Sequence, residues 1–256
     1  MILAVDIGNT NIVLGCIDGQ TIALQARLAT ELQKTPDQYA AELKMMLDLY
    51  GVSPSAITGS IISSVVPPVS NNVYAAIARL TGQESLVVGP GIRTGLNIRM
   101  DNSNEVGSDL ITAAVAAIEE YGAPLMIVDM GTATTITAVD ASGAFAGGCI
   151  CPGIQISMAA LTGSTAQLTG ISLEAPKKAI GKNTRDAMRS GIVLGAAAML
   201  DGLLDHIEQE LGQRAKTIVT GGSSKVILPL CRREMIYDPN LMLKGLALLY
   251  RRNGRT

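Results

Sequence analysis

The 256-residue sequence predicts an α/β protein built from two similar halves. Three observations lead there. The stretch Ile2-Leu3-Ala4-Val5-Asp6-Ile7-Gly8-Asn9-Thr10-Asn11 reads as a buried strand, an aspartate and a small polar turn, followed by a second apolar run, Ile12-Val13-Leu14-Gly15-Cys16-Ile17. The pattern returns as Leu125-Met126-Ile127-Val128-Asp129-Met130-Gly131-Thr132-Ala133-Thr134-Thr135. After each copy, strand patterns alternate with helical ones, which indicates mixed sheets with helices packed on them. A repeat almost half the chain apart is a duplicated domain, because solenoid periods are about 20–50 residues. The expected lobes are residues 1–122 and 123–256, with a cleft between them faced by both turns.

In the first half, Asp18-Gly19 closes a hairpin and Thr21–Ala29 continues as a third strand. Thr35-Pro36-Asp37-Gln38 starts a helix, with Thr35 as N-cap and Gln38 completing a capping box. Tyr39, Leu43, Met46, Leu47 and Tyr50 share its apolar face, and Gly51 ends it. Residues 57–66 form a strand. Pro67-Pro68 opens a helix with Val69, Val73, Ile77 and Leu80 on one face, and 86–88 is a short buried strand. A long loop over 89–104 is a candidate for function. The next helix carries Leu110, Ile111, Ala114, Val115 and Ile118 and stops at Gly122. Asp109 falls in its first turn, where the helix dipole alone would favour an aspartate and keep it ionised.

In the second half, the hairpin turns at Ala141-Ser142-Gly143, a strand spans 145–150, and Pro152-Gly153-Ile154 leads into a helix. Residues 168–178 read as loop. Gly181-Lys182-Asn183-Thr184 caps a long helix over 185–211 that carries Gly191 and Gly195, a spacing that suits close helix approach. Residues 217–224 are strand, glycine turn and helix start, and 234–237 is a last strand. Asp238-Pro239 caps a final helix through Tyr250, and 253–256 is a frayed tail.

Composition excludes several classes. Net charge is −2 with scattered Lys and Arg, so no basic footprint points to nucleic acid. One Phe and no Trp leave little for base stacking. Asp6 interrupts the first apolar run and no basic segment precedes it, so it is not a signal peptide. The most apolar stretch, 191–200, is cut by Asp201 and too short to span a bilayer. Four cysteines are too few for a disulfide scaffold, and a reducing cytoplasm is expected. Cys149 and Cys151 would share one strand face without a second ligand pair, and they read as structural thiols. His206, the single histidine, sits among charged residues on a helix, so catalysis must work without a histidine base.

The turns suggest phosphate chemistry. Backbone N–H groups and the Asn9, Thr10 and Asn11 side chains can approach a polyanion, and Gly8 leaves room for it. Asp6 repels phosphate unless it organises a divalent cation, directly or through water. No Gly-x-x-x-x-Gly-Lys-Ser/Thr occurs, so a P-loop is excluded. Gly147-Gly148 and Gly221-Gly222 do not make a dinucleotide fingerprint.

Together these motifs resemble the sugar kinase, Hsp70 and actin superfamily, and within it type III pantothenate kinase. The resemblance spans essentially the whole chain. It rests on the two aspartate turns, Glu105-Val106-Gly107-Ser108-Asp109, Pro152-Gly153-Ile154, Gly181-Lys182-Asn183-Thr184 and Thr220-Gly221-Gly222. It implies a duplicated, actin-like (ribonuclease H-like) ATPase fold and transfer of phosphate from ATP to (R)-pantothenate, opening coenzyme A synthesis. Asp6, Ile7, Gly8, Asn9, Thr10, Asn11, Ile12 and Val13 would then hold the ATP phosphates, with Asp6 organising Mg²⁺ and Thr132 contacting ATP. Asp109 would be the base, and Gly107, Ser108, Asp109, Leu110 and Thr184 would hold pantothenate. Asp129 would bind a monovalent cation, K⁺ or NH₄⁺, and a homodimer would complete the pantothenate pocket across its interface.

Two positions depart from the commoner family pattern. Leu110 stands where an arginine is usual, and Met100 where a tyrosine often contacts pantothenate. Losing the arginine removes a rigid five-donor fork. A kinase for another small alcohol, a hydrolase using water, and a non-catalytic nucleotide-binding regulator are the competing readings. Retention of Asp6, Asp109 and Asp129 together favours an enzyme.

Overall fold

The computed structural model describes residues 1–165, 168 and 170–254. The loop expected over 168–178 is described except at Thr169, and the end of the expected tail, Arg255 and Thr256, lies outside the described residues. The chain forms two compact units, residues 1–96, 102–116 and 240–256 in one and 97–101 and 117–239 in the other. This differs from a cut after residue 122, because the last helix belongs to the first unit.

The first unit holds β1 (Ile2–Ile7), β2 (Asn11–Asp18), β3 (Thr21–Ala29), β4 (Gly59–Ser64) and β5 (Leu86–Val87). Their order is β3-β2-β1-β4-β5. β1, β2 and β3 pair antiparallel, while β4 and β5 join in parallel. The expected capping box starts α1 (Pro36–Leu49): the Thr35 N–H donates to Gln38 Oε1 at 2.8 Å. Two prolines open α2 (Pro67–Thr81), whose C-cap Gly82 is left-handed. Strand alternation sends Leu3, Val5 and Ile7 toward Tyr39, Leu43, Leu47, Val69, Val73 and Ile77 of these helices. The opposite face, with Ala4, Ile17 and Ile61, is covered by Leu243, Leu246 and Leu249 of α8 (Leu241–Asn253) and Val115 of α3 (Ser108–Tyr121). That apolar seam is why α8 joins the first unit.

The second unit repeats the plan. β6 (Leu125–Met130), β7 (Ala133–Val139), β8 (Phe145–Pro152), β9 (Lys216–Thr220) and β10 (Ile236–Tyr237) lie in the order β10-β9-β6-β7-β8, with the same antiparallel and parallel pairings. Met126, Val128 and Met130 pack toward Ile192, Val193, Ala197, Leu200 and Leu204. Those five come from one helical run: α5 (Thr184–Arg189), a π-helical turn (Ser190–Leu194) and α6 (Gly195–Leu211). α4 (Ile154–Gly163) lies beside that turn, and α7 (Ser224–Ile227) follows β9. Among the described residues this run, Thr184–Leu211, is the one helix long and apolar enough to cross a membrane. It outlasts the short apolar stretch read from the sequence, and its buried side chains belong to the core.

Three element boundaries shift. β10 is two residues long, and β5 ends with Val87 exposed. α8 has its N-cap at Asn240, not at Asp238-Pro239, and the buried Asp238 carboxylate accepts the Tyr121 hydroxyl at 2.9 Å. The four cysteines are unpaired, and burial pushes Cys16 and Cys231 up to about 11, as expected of inert thiols. His206 is on the surface.

Candidate active site

Asp6 is the penultimate residue of β1, half-buried, on the sheet face shared with Ala4. Its register partners are Val13 on β2 and Ser63 on β4. The turn beyond it is tight: the Gly8 N–H donates to Asn11 O at 3.0 Å, leaving Asn9 and Thr10 at the tip. Asn9, Thr10 and Asn11 are exposed, whereas Ile7 and Ile12 are buried side chains of the core. Those two residues therefore have only backbone to offer a phosphate. Thr30 braces the turn from β3's end: its Oγ1 donates to Gly8 O at 2.7 Å and its N–H to Thr10 O at 3.0 Å. Sequence reasoning missed Thr30, because its partners are set by strand register and not by spacing.

Asp109 stands in the first turn of α3, as expected, but its chemistry differs from the expectation of a dipole-stabilised carboxylate. Burial raises its pKa above the ordinary aspartate value, outweighing the Leu110 N–H that donates to Oδ1 at 2.9 Å and its own backbone N–H. A raised pKa makes a stronger base. A Cβ on Gly107 would overlap Asp109 Oδ1, so a side chain there would push the carboxylate aside. Gly107→Ala is expected to displace the carboxylate and lower kcat about 10–100-fold, with the melting temperature little changed. Steady-state kinetics beside a thermal melt check this. Ser108 precedes Asp109 at the head of α3. Its hydroxyl is committed inside the chain, donating to Ser64 O at 3.0 Å and accepting the Ser64 N–H at 3.2 Å. Leu110 is half-buried, and Met100 is 41% exposed.

In the second unit, Asp129 occupies the place in β6 that Asp6 holds in β1, with Thr135 and Thr220 as register partners. It is half-buried and lies on the face away from Met126 and Val128. The turn past it, Gly131 and Thr132, is packed by two glycines. A Cβ on Gly153 would overlap Thr132 O and stand 2.8 Å from Gly131 O. A Cβ on Gly221 would stand 2.5 Å from Met130 N and 2.6 Å from Asp129 Oδ1. Both positions are sites where backbone must pass close to the aspartate turn. The Ser223 N–H also donates to Met130 O at 3.2 Å. Thr184 starts α5 behind the N-cap Asn183 and is exposed. Among the described residues no group of three or more His, Cys, Asp or Glu gathers as a metal cluster.

The sequence matches the type III pantothenate kinase family over residues 2–206. A type III pantothenate kinase of Halalkalibacterium halodurans is 42% identical over 253 residues, covering 99% of this chain and 100% of the relative. Among solved structures, a Campylobacter jejuni protein described as a Baf family transcriptional activator superposes with a TM-score of 0.61 at 20% identity, covering 98% of each chain. A Listeria monocytogenes protein described as an N-acetylmannosamine kinase superposes with a TM-score of 0.51 at 12% identity, covering 99% of each chain. These two likenesses concern the fold alone. The chain belongs to the type III pantothenate kinase family.

Proposed function

We propose, from this membership, that the protein transfers phosphate from ATP to (R)-pantothenate, giving ADP and 4′-phosphopantothenate, the opening step of coenzyme A synthesis. The carrying observation within the molecule is the duplicated strand–aspartate–glycine turn. Asp6 and Asp129 hold the same register position in two sheets of the same topology.

Phosphoryl transfer asks mainly for positioning and for charge to offset the transferring group. The exposed tip Asn9-Thr10-Asn11 supplies side-chain and backbone donors for phosphate oxygens. Asp6 has the hard oxygen donors that Mg²⁺ takes, and Mg²⁺ bound there would offset phosphate charge. Asp109 accepts the proton of the pantothenate hydroxyl, and the backbone of residues 107–110 lines the acceptor beside it. Thr132 contacts ATP. Asp129 is the ligand for K⁺ or NH₄⁺.

A cytoplasmic homodimer completes this reading, with Thr184 contributed to the pantothenate pocket. Gly191 and Gly195 lie exposed in mid-helix, and a Cβ on either meets no described atom within 4 Å. Glycine there costs about 0.5–1 kcal/mol relative to alanine, and packing within the chain does not require it. Ile156 and Leu161 on neighbouring α4 are 43% and 41% exposed. Close approach of a second copy accounts for both features.

The test is product identification by ³¹P NMR in potassium and in sodium buffer. The wild type is expected to form 4′-phosphopantothenate faster in potassium, and Asp129→Asn to lose that preference. Equal rates in the two buffers would remove the cation role from Asp129.

A further inference from the structure

The end of β4 carries two hydroxyls, those of Ser63 and Ser64, that the phosphate turn does not use. Ser63 is fully buried and pairs in register with Asp6 across the parallel β1–β4 ladder. Alternation puts it on the face of Ile61, toward α3 and α8. Its Oγ lies 3.0 Å from Ser108 Oγ. The Ser108 proton is directed at Ser64 O, so Ser63 is the donor of that pair. Ser108 Oγ thus receives Ser63 Oγ and the Ser64 N–H and gives its proton to the Ser64 carbonyl. One residue at the head of α3 is tied three times to the end of β4. The backbone carries the effect onward: the Thr112 hydroxyl donates to Ser108 O at 2.6 Å, and the Ile111 N–H donates to Gly107 O at 3.1 Å.

Asp109 is the next residue after Ser108. Its carboxylate sits over Gly107, on a turn whose placement the sheet sets through this serine pair. We propose that Ser63 is a positioning residue for phosphoryl transfer, its buried hydroxyl holding Ser108 and so fixing Asp109 relative to the strand that bears Asp6. Ser63 touches no reacting atom. The proposal rests on the kinase reading for its effect on rate, whereas its structural half stands alone. The second sheet supplies a comparison: the register counterpart of Ser63, opposite Asp129, is Thr220, also buried and also hydroxyl-bearing.

Five proteins test it: wild type, Ser63→Ala, Ser63→Thr, Ser108→Ala and the Ser63→Ala/Ser108→Ala double variant, each checked for folding by circular dichroism. Ser63→Ala is expected to lower kcat about 10–100-fold, the scale of a misplaced catalytic group, with KM for ATP and pantothenate within about twofold. Ser63→Thr, which keeps the hydroxyl, restores kcat to within about threefold of wild type. Combining Ser63→Ala with Ser108→Ala lowers kcat no further than Ser108→Ala alone, because removing the Ser108 hydroxyl already breaks the Ser63 contact. Amide exchange at Ile111 accelerates in Ser63→Ala whether or not the assay shows turnover. A folded Ser63→Ala protein with wild-type kcat overturns the proposal. Should the wild type show no pantothenate-dependent turnover, the kinase reading fails instead. Unchanged Ile111 exchange in Ser63→Ala then overturns the positioning role on its own.

Discussion

Asp109→Asn is expected to lower kcat about 10³-fold, the central range for removing a general base, while the chain folds as well as the wild type or better. The two halves of that expectation have one cause. Burial raises the Asp109 pKa, so the folded state binds this proton more tightly than the unfolded chain does. Below the unfolded-state pKa both states are protonated and the group costs nothing. As pH rises from the ordinary aspartate value through the raised folded value, the folded state loses stability, and above that window the full penalty remains. Asparagine carries no charge and removes the penalty. Thermal melts at neutral pH should therefore show an equal or higher melting temperature for Asp109→Asn, and the difference should vanish at pH 3. The rate of the wild type should fall on the acid side with a midpoint above the ordinary carboxylate range. A mutant that loses both activity and stability at neutral pH would show that Asp109 is held by favourable contacts and does not pay a desolvation cost.

Gly221→Ala is the second large effect. Gly221 has φ +93°, a backbone conformation that side chains rarely adopt. Its new Cβ would stand 2.5 Å from Met130 N and 2.6 Å from Asp129 Oδ1. One neighbour is backbone of a central strand and cannot yield. The other is the carboxylate proposed above to hold the monovalent cation. Strained backbone costs about 1–3 kcal/mol and overpacking a similar amount, so the variant should lose about 2–6 kcal/mol of stability together with most of its activity. Gly143→Ala is the control. Gly143 has φ +79° in the β7–β8 hairpin, but its Cβ meets nothing within 4 Å. It should lose only the strain term, about 1–3 kcal/mol, and keep wild-type kcat. Denaturant unfolding of the two variants side by side separates strain from collision.

The duplicated plan was legible because its signals are local. An apolar run ending in aspartate and glycine marks β1 and β6, and Asp18-Gly19 and Ser142-Gly143 mark the hairpins that follow. The capping box at Thr35 and Gln38 was equally plain. What stayed hidden depends on register and burial. The sequence shows Asp109 in a helical first turn, which argues for an ionised carboxylate; only the packed chain shows that desolvation outweighs the helix end. Ser63 and Thr30 are ordinary hydroxyl residues in sequence, and their partners lie 45 and 22 residues away. The one available sign was a polar pair, Ser63-Ser64, closing an apolar strand, the same pattern that singled out Asp6. The final helix was assigned to the wrong half of the chain, because its apolar face fits either sheet until Leu243 and Leu246 are seen against Ala4 and Ile61.

The most direct test of the central claim is ADP release from MgATP by the purified full chain in potassium buffer, with and without pantothenate. Release that depends on pantothenate, and that disappears in Asp109→Asn, is the predicted result. Release at the same rate without pantothenate, or none with it from folded protein, would contradict the assignment of this chain as a pantothenate kinase.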